Sequence, residues 1–168
     1  AQGLRRTEAR RPMLGATGIE TPDLPNPEPA PFSGSEMTLA VCGAHMSGLP
    51  LNQELTSRGA RFLKTAKTAP NYALYALPGG PPHRPGLCRS EDGNGASIAL
   101  ELWALPKSAV GDFMAGIPSP LVIGNVEIED GLLVKGFLCE TSGLGSAENI
   151  SALGGWRSYL DGQAALTL

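Results

Sequence analysis

Apolar positions run almost without interruption from Met37 to Cys42 and stop at Gly43, a pattern that predicts a short buried strand ending in a turn. Residues 52–58 have the composition for one or two helical turns. Residues 60–68 (ARFLKTAKT) alternate coarsely and residues 72–77 (YALYAL) are apolar, which predicts two further strands. Residues 78–86 (PGGPPHRPG) read as a rigid loop outside any regular element. Residues 97–105 (SIALELWAL) form the strongest strand signal, with Ile98, Leu100, Leu102 and Ala104 on one face. Pro106 is placed to open a helix at its first turn, and residues 107–117 carry Val110, Phe113, Met114 and Ile117 at helical spacing as a core stripe. Residues 126–140 predict a hairpin turning at Asp130-Gly131, and Asn149 or Ser151 is placed to cap a closing helix towards Leu160. Strands outnumber helices, and the first strand lies far in sequence from the hairpin. The fold class predicted is α+β: a small mixed, partly closed β-barrel with peripheral helices.

The first 36 residues break this pattern. Arg5, Arg6, Arg10 and Arg11 surround Glu8, and five prolines then fall within residues 22–31. Such a stretch builds neither a helix nor an inner strand and behaves as a semi-rigid extended spacer. Residues 1–36 are therefore expected to be an interdomain linker, with 37–168 a single domain. Glycine and proline, 22 and 15 in 168 residues, favour short strands joined by turns. A net charge of −3 argues against a nucleic-acid partner, and no apolar run reaches the length of a membrane span. The three cysteines, Cys42, Cys88 and Cys139, are widely separated, and Cys42 and Cys139 sit in apolar runs. That pattern fits a reducing cytoplasm, packing rather than reactive thiols, and no metal site.

Candidate chemistry is sparse. The chain has no G-x-S-x-G elbow, no P-loop and no dinucleotide fingerprint, and no cofactor is expected. Glu127 and Glu129 fall on one solvent-facing side of the hairpin, and Glu101, which interrupts an apolar strand, is expected to point away from the core. The segment after the first strand stands out: Gly43-Ala-His45-Met-Ser-Gly48 joins glycines, which let backbone N–H groups approach an anion, to a titratable side chain. Arg58, Arg61, Lys64 and Lys67 follow within ten residues, Arg84 lies in the rigid loop, and Arg157 in the last helix. Guanidinium groups and backbone donors together suit a small carboxylate ligand.

Residues 39–78, 85–89 (PGLCR), 99–131, 134–140 (VKGFLCE) and 154–160 (GGWRSYL) resemble, in one colinear order, the C-terminal domain of allophanate hydrolase. The blocks GAHMSGLPL and GGWRSYL are the more specific. The resemblance implies a γ-glutamyl-cyclotransferase-like fold with a substrate-binding glycine loop after the first strand. It also implies an upstream amidase domain on the same longer chain, serving urea or s-triazine nitrogen catabolism in the cytoplasm, and a homodimer. The carboxylate that cyclotransferases use falls at residues 113–120 (FMAGIPSP), where no Glu or Asp stands, so cyclotransferase chemistry is not expected. The implied reaction is decarboxylation of N-carboxycarbamate, with His45 as catalytic proton donor, facing accessible space rather than filling the core. The substrate pocket is expected between the loop 43–48, residues 67–72 and residues 124–125. Its binding set is Gly43, Ala44, Gly48, Lys67, Thr68, Tyr72, Gly124, Asn125 and Arg157. A non-catalytic module for dimerisation or assembly is the alternative.

Overall fold

The computed structural model describes residues 34–90 and 94–166. Most of the expected 1–36 linker lies outside the described residues. Strand β1 (Glu36–Val41) is apolar from Leu39 onward because it is the middle strand of a five-stranded sheet. It runs antiparallel to β5 (Ala99–Pro106) and parallel to β7 (Leu133–Cys139). Strand β2 (Arg61–Lys67) flanks β5, and β6 (Leu121–Glu127) flanks β7, giving the order β2-β5-β1-β7-β6. A second sheet has the order β4 (Pro85–Arg89), β3 (Tyr72–Ala76), β8 (Glu148–Asn149). The helices are α1 (Asn52–Thr56), α2 (Lys107–Ala115) and α3 (Trp156–Ala165).

The fold is mixed α+β, and its two sheets are not closed into a barrel. The outer strands approach at one point, an isolated bridge between Thr68 and Ile128. There the Ala69 N–H donates to the Glu127 carbonyl and the Glu129 N–H to the Lys67 carbonyl. The hairpin turns at Asp130-Gly131 as the sequence predicts, with Gly131 at φ +83°. Its first strand starts earlier than expected, at Leu121.

Four expectations are corrected. The proline-rich loop ends sooner than predicted, because Pro85 opens β4, a position where a strand tolerates the missing N–H. In the α2 stripe Phe113 is buried and Val110 and Ile117 pack half-buried against the core as expected, but Met114 is 48% exposed, since it lies on the solvent side of that helix. Asn149 and Ser151 do not cap α3: the Asn149 side chain accepts from the Ser151 N–H and hydroxyl, closing a separate turn, and α3 begins after Gly155. Finally, β5 is buried on both faces from Leu100 to Leu105, as an inner strand covered from either side must be, and so Glu101 points inward.

Candidate active site

The turn after β1 is shaped by its own backbone: Met46 N–H donates to the Gly43 carbonyl, and Leu51 N–H to that of Ala44. Gly43 is required by a close approach, because a Cβ there would lie 2.5 Å from Pro85 Cδ. Gly48, at φ +74°, provides the left-handed turn that releases the chain toward α1. Among the described residues, neither these turns nor any side chain uses the N–H groups of Ala44 and His45. Two successive amides are thus left without a protein acceptor beside the niche, donors of the kind an anion takes up.

His45 is packed, not open: its residue exposure is 9%, which corrects the expectation of a solvent-facing ring. Its imidazole stacks on Phe137 at 4.9 Å and meets the edge of Phe113 at 5.5 Å. Nε2 donates to Glu54 Oε2 at 2.9 Å, which fixes the tautomer, and Nδ1 has no partner among the described residues. Burial holds the ring below its usual pKa; the Glu54 carboxylate opposes this, while Arg84 and Arg58 add to the lowering. Arg84 therefore acts electrostatically on this ring although it comes from the proline-rich loop. It also lines, with Gly43, Ala44, His45 and Phe137, a niche of about 20 Å³. Arg84 and Leu121 also border a larger cavity of about 320 Å³ between the proline-rich loop and residues 118–121.

The remaining expected residues divide. Lys67 and Arg157 meet in a separate cavity of about 300 Å³ with Met46, Thr65 and Glu101, which shares no lining residue with the His45 niche. Thr68 is sealed in the core, its hydroxyl donating to the Ala69 carbonyl and accepting from the Ile98 N–H. The Tyr72 hydroxyl is likewise taken up, by the Glu127 N–H and Arg89. Gly124 packs against Leu138, and Asn125 bonds Lys135, so neither borders a cavity described here. The structure thus brings together Gly43, Ala44 and His45, and separately Lys67 and Arg157. Sequence reasoning missed Glu54, whose signal was an acidic residue in the helix directly after the loop. The thiols are unsuited to nucleophilic work: burial pushes Cys42 up to about 12 and Cys139 up to about 11. Among the described residues no group of three His, Cys, Asp or Glu is placed to hold a metal ion, and no helix is long and apolar enough to cross a membrane.

A two-sheet α+β domain with a histidine–carboxylate pair on a glycine turn defines the class. The chain belongs to the allophanate hydrolase C-terminal domain family, whose model matches residues 37–161. It is 44% identical over 130 residues to urea amidolyase of Saccharomyces cerevisiae, a match covering 76% of this chain and 7% of that protein. Allophanate hydrolase of Kluyveromyces lactis superposes with a TM-score of 0.73 at 44% identity, over 75% of this chain and 21% of that one. A uropathogenic E. coli-specific protein superposes with a TM-score of 0.70 at 31% identity, covering 76% of this chain and 97% of that chain. The fold therefore occurs both inside a long multidomain chain and as nearly the whole of a short one.

Proposed function

We propose that this domain decarboxylates N-carboxycarbamate, the dicarboxylate that an upstream amidase domain of the same longer chain releases from allophanate. The observation that carries the reading is the His45–Glu54 pair beside two free amides and Arg84. The substrate carries two carboxylates on one nitrogen. One seats an oxygen against the N–H groups of Ala44 and His45; the other faces Arg84 from the larger cavity. The C–N bond then breaks, its electron pair stays on nitrogen, and the Nδ1 proton of the imidazolium is transferred to that nitrogen. The products are carbon dioxide and carbamate, and carbamate breaks down in turn to ammonia and carbon dioxide.

Glu54 stabilises the imidazolium as the proton is taken up from solvent, the role a carboxylate plays behind any acid–base histidine. The lowered pKa keeps the free ring neutral near pH 7, and an arriving dianion favours its protonated form. Proton uptake thus accompanies substrate binding. On this reading Lys67, Thr68, Tyr72, Gly124 and Asn125 do not touch substrate.

The test is His45→Asn, assayed by carbon dioxide release from N-carboxycarbamate generated in place by a separate amidase. The expected loss is roughly 10²–10⁴-fold, bounded by the spontaneous reaction. A wild-type rate would remove the catalytic reading and leave the domain as a module for dimerisation or assembly of its parent chain.

A further inference from the structure

Glu101 is the one acidic residue in the buried stretch of β5, and it is 5% exposed. It stands opposite Val41, the last residue of β1, at the point where the glycine turn leaves the sheet. Oε2 accepts from the Ser47 N–H at 2.8 Å, the Ser47 hydroxyl at 2.9 Å and Trp103 Nε1 at 3.1 Å. Oε1 accepts from Arg157 Nη2 at 2.9 Å, and the same Nη2 donates to the Ser47 carbonyl at 2.6 Å. Ser47, Glu101 and Arg157 therefore close a ring in which both backbone polar groups of Ser47 are held by side chains from distant elements.

We propose that Glu101 and Arg157 are positioning residues for the His45 site, a clamp that sets the orientation of the Ala44 and His45 amides by fixing Ser47. This rests on the reading of His45 given above. The carbonyls of Gly43, Ala44, His45 and Met46 accept from Met46, Leu51, the Asn52 side chain and Leu49 in turn, all donors within the turn or at the start of α1. These bonds set the turn's internal shape, and the bonds from Ser47 to Glu101 and Arg157 tie it to β5 and α3. A turn restrained at its apex by a carboxylate and a guanidinium from distant elements keeps its two amides aimed at one point of the niche; without the clamp the turn shifts as a body against Arg84 and Phe137. The requirement is for a carboxylate specifically. A glutamine of the same shape has one accepting oxygen and one donating NH₂, so it must face a donor with a donor, at Arg157 or at the Ser47–Trp103 side. Burial raises the Glu101 carboxyl, but the four hydrogen bonds more than offset this and hold it below the usual range, so it stays ionised and does not trade protons with substrate at neutral pH.

The experiment compares Glu101→Gln, Ser47→Ala and the double variant in the full 168-residue chain. It measures kcat, malonate affinity, the pH–rate profile and the ¹H–¹⁵N shifts of Ala44 and His45. Positioning predicts that Glu101→Gln moves both amide resonances, weakens malonate roughly tenfold and lowers kcat by about 10–100-fold, while the inflection due to His45 stays in place. Ser47→Ala keeps its N–H and loses less, and the double variant is no worse than Glu101→Gln alone, because both act on one clamp. Arg157→Lys, which restores one donor, recovers more malonate affinity than Arg157→Ala. If Glu101→Gln fails to fold, the Ser47 and Arg157 variants carry the same comparison. Unmoved amide shifts with unchanged malonate affinity overturn the proposal, whether kcat is retained or lost; loss alone would make Glu101 a reacting group. Shifted amides and weaker malonate alongside a fully active His45→Asn would uphold the clamp and refute the decarboxylation reading.

Discussion

The hydroxyl of Tyr72 lies 2.8 Å from the backbone N–H of Glu127 and accepts its proton, joining the first residue of β3 to the last residue of β6. Arg89, on the neighbouring strand, donates to the same oxygen at 2.8 Å and stacks its guanidinium on the Tyr72 ring. One side chain therefore ties the small sheet to the edge of the large one.

Tyr72→Phe leaves the Glu127 N–H without its acceptor. The expected cost is about 1–3 kcal/mol of folding stability, read from the midpoint of urea unfolding, with malonate affinity unchanged. Weakened malonate binding would return Tyr72 to the substrate set.

With only two histidines in the chain, His45 and His83, the ring protons can be followed individually by NMR. Free His45 is expected to titrate below its usual value because of burial. Saturating malonate should move that titration upward, since a bound dianion favours the imidazolium. An unmoved His45 with malonate bound would place the ligand elsewhere.

The same lowered pKa has a consequence for stability. Between the folded-state value and the unfolded value near 6.5, the unfolded chain binds more protons, so stability rises with pH through that window and is lost on acidification through it. Glu54→Gln removes the groups that raise the ring's pKa, widening the window toward acid. Denaturation midpoints of Glu54→Gln and wild type at pH 5 and pH 8 check this; an equal pH dependence would contradict it.

Arg84→Ala should weaken malonate by about 10–100-fold, the loss of a hydrogen bond to a charged group, and Arg84→Lys should recover part of it. Lys67→Ala, in the other cavity, should leave malonate affinity within a factor of about two, the reach of a distant screened charge. The opposite ranking in calorimetric titration would move the substrate to the Lys67 cavity.

Gly43→Ala pushes a methyl group onto the Pro85 ring, where the unshifted Cβ would sit 2.5 Å from Cδ. Displacing β4 or the turn to relieve it should cost about 1–3 kcal/mol and weaken malonate together with stability. Full stability with full affinity would show that the turn tolerates a side chain there.

Much of the chain order was legible in the sequence. The strands around Leu39, Leu74 and Leu102 follow from apolar runs, and the hairpin from Asp130-Gly131, because these signals are local. Strand β4 was hidden because its first residues are proline and glycine, and only pairing with β3 makes them extended. Glu101 was misplaced because periodicity assigns faces but cannot say that both faces of β5 are covered. Arg157 was picked out as a cation, yet its partners lie 56 and 110 residues away in sequence, beyond any spacing rule. The glycine turn was visible; what fixes it was not.

The ring of Ser47, Glu101 and Arg157 has a meaning for assembly in time. Its closing contact spans 110 residues, so it is among the last loops whose closure entropy must be met as the chain folds. During synthesis the glycine turn emerges early and is held at Ser47 by Glu101 alone until α3 has been made and has docked. Completion of the ring then reports a finished polypeptide, and chains ending before Arg157 would carry His45 and all its ring contacts while the Ser47 carbonyl lacks its guanidinium donor.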